Sequence, residues 1–184
     1  AEVFHSLAKI LKERDYVTTV GDEGGYAPRV RGGNNEPLEL IKLAIESAGY
    51  RLGDDICIAM DVAASEFAAG DHYELKTNGD WKTSEDLSNW YAWITDHYPV
   101  VSIEDGLGEN DWDGWAKLTD RFGSYIQLVG DDLFVTNSKL LQKGIDNKVA
   151  NSILIKPNQI GSLSETIDAV LLAKKNGYSC VMSQ

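Results

Sequence analysis

Lys156 closes an apolar run, Ser152-Ile153-Leu154-Ile155, immediately before Pro157. A run of that length, rich in β-branched residues and bounded by turn formers, predicts a buried strand. A lysine closing such a strand beside Asn158 and Gln159 is poorly placed to be a mere surface charge. An amine held there can act as a general base or pair with an acid. Four earlier runs close on acids in the same way: "VGDEGG" on Asp22 and Glu23, "AMD" on Asp61, "SIED" on Glu104 and Asp105, and "GDD" on Asp131 and Asp132. One acid after a strand is ordinarily a helix cap or a solvated loop residue, and Asp22, Asp105 and Asp132 fit a capping or supporting role. Clustered like charges are costly unless something neutralises them, and a cation is the economical explanation. Asp61, Glu104 and Asp131 offer hard oxygen donors with no accompanying His or Cys, a set that suits Mg²⁺ and disfavours zinc. Beside a bound cation the neutral form of Lys156 is favoured, which is the form a base needs.

For these groups to meet, their strands must end on one face. Apolar runs alternate with amphipathic helical stretches at a spacing of roughly 25 to 45 residues, the βα pattern of a parallel sheet, whose carboxyl ends share a face. Strands are expected at "YVTTVGD", "ICIAMDV", "VVSIED", "IQLVGDD", "SILIK" and "SCVMS". Between them, "NNEPLELIKLAIESAG" has Asn35 as N-cap, Pro37 in the first turn and Gly49 past the end. "TSEDLSNWYAWITDHYP" offers Thr83 and Asp86 as a capping box, with Leu87, Trp90, Tyr91 and Ile94 at helical spacing. "SLSETIDAVLLAKKNG" repeats the scheme with Ser162 and Glu165 and a stripe of Leu163, Ile167, Val170 and Leu171. Shorter helices are expected at "DWDGWAKLTDRFG" and "NSKLLQKGIDNKV". Trp90, Trp93, Trp112 and Trp115 are read as packing residues, and Trp81, in the polar "KTNGDWKTSED" connection, as a loop contact.

Composition narrows the partners. The 184 residues can bury a sizeable core, and no linker or change of composition divides them, which predicts one domain. With 29 acidic against 17 basic residues, net −12, the chain is unsuited to nucleic acid or an anionic membrane; small ligands or a cation fit better. Cys57 and Cys180 do not make a disulfide framework and read as reduced, cytoplasmic thiols. No apolar stretch approaches the ~20 residues of a membrane span. The chain opens inside a helical pattern without an initiator Met, which reads as part of a longer protein.

The motifs "VGDEGGYAP", "AMDVAASEF", "SIEDGLGENDWDGW", "QLVGDDLFVTN" and "ILIKPNQIGSLSET" resemble, in order and spacing, the barrel motifs of the enolase (phosphopyruvate hydratase) family, most nearly its bacterial form. The resemblance implies an α/β fold, a partial TIM-type (β/α) barrel of six parallel strands matching the family's third to eighth. It implies that residues 1–184 are the C-terminal barrel domain, incomplete at both ends. The implied activity is a lyase reaction, the Mg²⁺-dependent reversible dehydration of 2-phosphoglycerate to phosphoenolpyruvate in glycolysis, by a cytoplasmic homodimer with surface or secreted moonlighting forms. Carried across by motif, Asp61, Glu104 and Asp131 are the expected metal ligands, Lys156 the base that takes the C2 proton, and Glu23 the acid that helps expel the C3 hydroxyl. Glu23 and Lys156 also count as substrate-binding. Gln184 stands where the family has a substrate-binding His. Two alternatives stay open. One is an acid-sugar dehydratase or racemase of the same superfamily, although the Lys-x-Lys pair typical of those enzymes is missing from "TTVGDEGG". The other is a non-catalytic scaffold fragment. On the implied reading, this chain by itself is expected to be inactive.

Overall fold

The computed structural model describes residues 1–75 and 79–183. The chain forms two compact units, Ala1–Cys57 and Ile58–Gln184. In the first, helix α1 (Glu2–Glu13) packs on α2 (Glu36–Ser47). Leu11 from one helix and Leu38, Leu40, Ala44 and Ile45 from the other are buried, because each helix carries one apolar stripe that must be covered. Pro37 sits in the first turn of α2 and Gly49 follows its end at φ +86°, a left-handed position open to glycine. Asn35 holds the N-cap position without a side-chain capping bond.

The second unit is built on strands β1 (Ile58–Asp61), β5 (Val100–Glu104), β6 (Gln127–Gly130), β7 (Ser152–Ile155) and β8 (Ser179–Met182), parallel and in the order β1-β5-β6-β7-β8. Helices α3 (Ser84–His97), α4 (Trp112–Phe122), α5 (Ser138–Asp146) and α7 (Leu163–Lys175) form the crossovers. Their starts follow from sequence. Thr83 and Asp86 make a reciprocal capping box, and Asp111, Asn137 and Ser162 each accept a backbone N–H at their helix N-terminus. The core between sheet and helices includes Tyr91, Ile103, Trp115, Phe122, Leu128, Phe134, Ile153 and Ile155, none exposed. Phe134 can lie flat against the end of β6 because Gly130 and Gly144 leave it room. A Cβ at either position would come within 2.6 Å of its ring.

Three expectations need correction. The parallel sheet has five strands, not six: residues 16–22 join no sheet, and Val20 makes a single antiparallel bridge to Tyr26. Val17 and Val20 are exposed. A strand needs a hydrogen-bonding neighbour, and the first unit packs around two helices that offer none. Second, α7 turns Thr166, Ala169 and Ala173 inward and leaves Leu163, Ile167 and Leu171 at 70%, 48% and 61% exposure. Small side chains let the helix settle closely onto β7, β8 and α5, which the larger leucine stripe would hold off. Third, Trp81 is not in a loop. It lies in β4 (Asp80–Lys82), paired antiparallel to β3 (His72–Leu75), which pairs in turn with β2 (Ala68–Ala69). This small sheet is tied down by Tyr73, whose hydroxyl donates to Asp111 Oδ2 at 2.8 Å and accepts from Gly108 N at 3.0 Å. Among the described residues, no helix is long and apolar enough to cross a membrane.

Candidate metal and base site

The parallel register decides which strand-end acids meet. Asp61 pairs with Glu104 across β1 and β5, so both carboxylates leave the same face of the sheet. Glu104 pairs with Val129 of β6, two residues before Asp131. Lys156 follows β7 directly, and its Nζ lies 2.5 Å from Asp131 Oδ2 in a pair largely shielded from solvent. The other Asp131 oxygen, Oδ1, accepts from Gln159 Nε2 at 2.8 Å. The ion-pair reading of Lys156 is therefore realised in this structure.

The electrostatics reflect the crowding. Burial pushes the Glu104 carboxyl up to about 7, with repulsion from Asp61, Asp131 and Asp105 adding to it and Lys156 opposing it. Asp61, although exposed, is raised too, first by partial desolvation and then by Asp131, against the pull of the Ala63 N–H that it accepts. Two acids kept above their ordinary values beside a single lysine form a donor set short of positive charge.

Asp105 behaves differently. Only 3% exposed, it adopts φ +41° and accepts the backbone N–H of Asp131 at 3.0 Å and of Asp132 at 2.8 Å, one on each oxygen. Its own carbonyl accepts Ala64 N–H and its N–H donates to Val129, so one residue ties together the chain after β1, the end of β5 and the end of β6. Burial pushes its carboxyl up to about 7 against the pull of the two N–H donors. Among the described residues, the acids whose oxygens lie within 4.8 Å of one another are Asp105, Asp131 and Asp132, and only Asp131 belongs to the expected trio. With both oxygens of Asp105 engaged by main chain, that residue fits the support role expected of it better than a ligand role.

Two contributors were not singled out by sequence. Thr136 is fully buried and accepts Lys156 N–H at 2.9 Å, while its hydroxyl donates to Gln159 Oε1 at 3.0 Å. Gln159 stood beside Lys156 in the sequence, but its partner was legible only through the short helix α6 (Pro157–Ile160) that turns it back. Glu23 belongs to the first unit, exposed at a turn closed by Gly21 N–H to Gly25 O and Gly24 N–H to Gly21 O, with Gly24 at φ +81°. Gln184 lies outside the described residues.

All 184 residues match the model of the enolase C-terminal TIM barrel domain. The chain belongs to the enolase family. It is 54% identical to the enolases of Sulfurimonas denitrificans and Wolinella succinogenes and 55% identical to that of Helicobacter pylori strain P12, with the whole chain aligned in each case. It spans 43% of the length of these relatives. The α/β architecture with its five-stranded parallel sheet is that of a partial TIM barrel within this family.

Proposed function

We propose that this chain is the metal- and base-bearing part of an enolase that reversibly dehydrates 2-phosphoglycerate to phosphoenolpyruvate. The observation that carries the reading is the in-register pair Asp61–Glu104 beside the Asp131–Lys156 pair, three acids and one amine at the ends of four successive parallel strands. Asp61, Glu104 and Asp131 would hold Mg²⁺; their all-oxygen chemistry and surplus of negative charge suit a hard divalent cation. When bound, that cation supplies positive charge where the substrate carboxylate becomes more negative. Lys156, its carboxylate partner drawn to the cation, takes the C2 proton. Glu23, from the first unit, donates a proton to the departing C3 hydroxyl, and Gln184 binds substrate less effectively than the family's His, since an amide cannot become cationic. Both units then belong to one barrel domain, and the longer protein is a cytoplasmic homodimer.

The 184-residue chain alone is expected not to turn over substrate: β1 and β8 are open sheet edges, and most of the length of its relatives lies outside it. Magnesium titration of the full-length protein tests the assignment. Asp61→Asn, Glu104→Gln and Asp131→Asn should each weaken Mg²⁺ binding by about 10-fold or more, from the loss of a charged ligand. Unchanged affinity in all three contradicts it, and a wild type that binds no Mg²⁺ at millimolar concentration points to a scaffold.

A further inference from the structure

Val135 and Thr136 both adopt left-handed backbone, φ +42° and +56°. β-Branched residues rarely do so, and such strain persists where the surroundings impose it, often at functional sites. The strained pair delivers Thr136 Oγ1 into a fully buried position behind the strand end of β7. There the hydroxyl has one proton and two lone pairs to assign. It accepts the Lys156 N–H at 2.9 Å, which fixes the backbone that launches the lysine side chain. Its proton goes to Gln159 Oε1 at 3.0 Å, with the Leu154 carbonyl a poorer acceptor at 3.4 Å. Holding the amide oxygen on one side turns the amide NH₂ to the other, where Nε2 donates to Asp131 Oδ1 at 2.8 Å. Asp131 Oδ2 in turn holds Lys156 Nζ. The circuit closes on itself: Thr136 sets the main chain of Lys156 directly and its ammonium through Gln159 and Asp131.

We infer that Thr136 is a positioning residue for Lys156 and Asp131, acting through the Gln159 amide. The inference rests on the reading of Lys156 as the C2 base. A side chain so wired reaches its partner in one geometry, and small displacements of a catalytic group cost rate more than binding. Gln159 is exposed, so its substitution leaves the core intact while cutting the same link.

The test uses the full-length protein, following C2 proton exchange of 2-phosphoglycerate alongside kcat and KM, at a temperature where circular dichroism shows each variant folded. Thr136→Val keeps shape and removes the hydroxyl; exchange and kcat should fall roughly 10- to 100-fold, as for other groups that orient an active residue, with KM changed far less. Thr136→Ser restores the hydroxyl and should recover most of the loss. Gln159→Met should repeat the Thr136→Val split with an unchanged melting temperature, which keeps the inference testable if Thr136→Val folds poorly. Exchange within about twofold of wild type in Gln159→Met or in folded Thr136→Val overturns it, as does failure of Thr136→Ser to recover more than Thr136→Val. Lys156→Ala separates the two claims: if it exchanges normally, the base assignment itself has failed; if it is silent while the Thr136 and Gln159 variants are unimpaired, only the relay has failed.

Discussion

The end of β6 and the turn at Glu23 are built by opposite means. Around Asp131 every neighbour is fixed: Asp105 holds its backbone, Gln159 and Lys156 take one carboxylate oxygen each, and Phe134 is wedged between two glycines beneath it. Around Glu23 the described bonds are main-chain contacts between glycines at an exposed turn, on a unit with no sheet of its own. A proton-removing group benefits from preorganisation, because its geometry must be right before substrate arrives. A group that assists departure can be completed later by substrate and by further chain. On the proposed reading, the group that removes the proton lies at the heavily bonded strand end and the group that assists departure at an exposed turn.

Breaking the rigid side should cost most. Asp105→Ala strips two buried N–H groups of a charged acceptor and is expected to destabilise the full-length protein by about 3 kcal/mol, somewhat less than two such bonds suggest because the carboxylate itself is costly to bury. Urea unfolding measures this, and a loss below about 1 kcal/mol would show that the strand ends are held by other means. Gly130→Ala comes next: the added methyl meets the Phe134 ring, a clash between rigid groups expected to cost about 2 kcal/mol in the same unfolding assay.

The exposed turn should respond only to backbone strain. Around Gly24 there is open space, so Gly24→Ala pays the left-handed penalty alone, about 1 kcal/mol. A loss larger than that of Gly130→Ala would invert the comparison. Smaller still in consequence for the site is Thr83→Ala, which removes the capping box of α3 at a cost of about 1 kcal/mol or less and should leave Mg²⁺ affinity unchanged in titration calorimetry.

These effects also mark what sequence could and could not reveal. The places of Asp61, Glu104, Asp131 and Lys156 at the ends of parallel strands were legible because each closes an apolar run, a local feature; which acids come together was not, since the clustered group is Asp105, Asp131 and Asp132. The boxes at Thr83–Asp86 and Ser162–Glu165 were legible for the same reason, being contacts between near neighbours. Residues 16–22 read as a strand because propensity is local while pairing is not. The α7 stripe misled because apolar residues occur on two faces of that helix, and the choice between them depends on how closely the sheet lets it approach. Short segments interrupted by Gly, Asp and Asn hid the β2–β4 hairpins. Thr136 was invisible: nothing in "LFVTNS" announces a left-handed backbone, which arises only from the packing around it.

The most direct test of the account is solvent exchange of the substrate's C2 proton in two variants of the full-length protein. Lys156→Ala should lose exchange by at least about 10²-fold, the scale of general base catalysis, whereas Glu23→Gln should keep exchange while losing dehydration, because the proposed mechanism gives proton removal and hydroxyl departure to different groups. Normal exchange in Lys156→Ala, or loss of exchange in Glu23→Gln equal to its loss of dehydration, would contradict the division of labour.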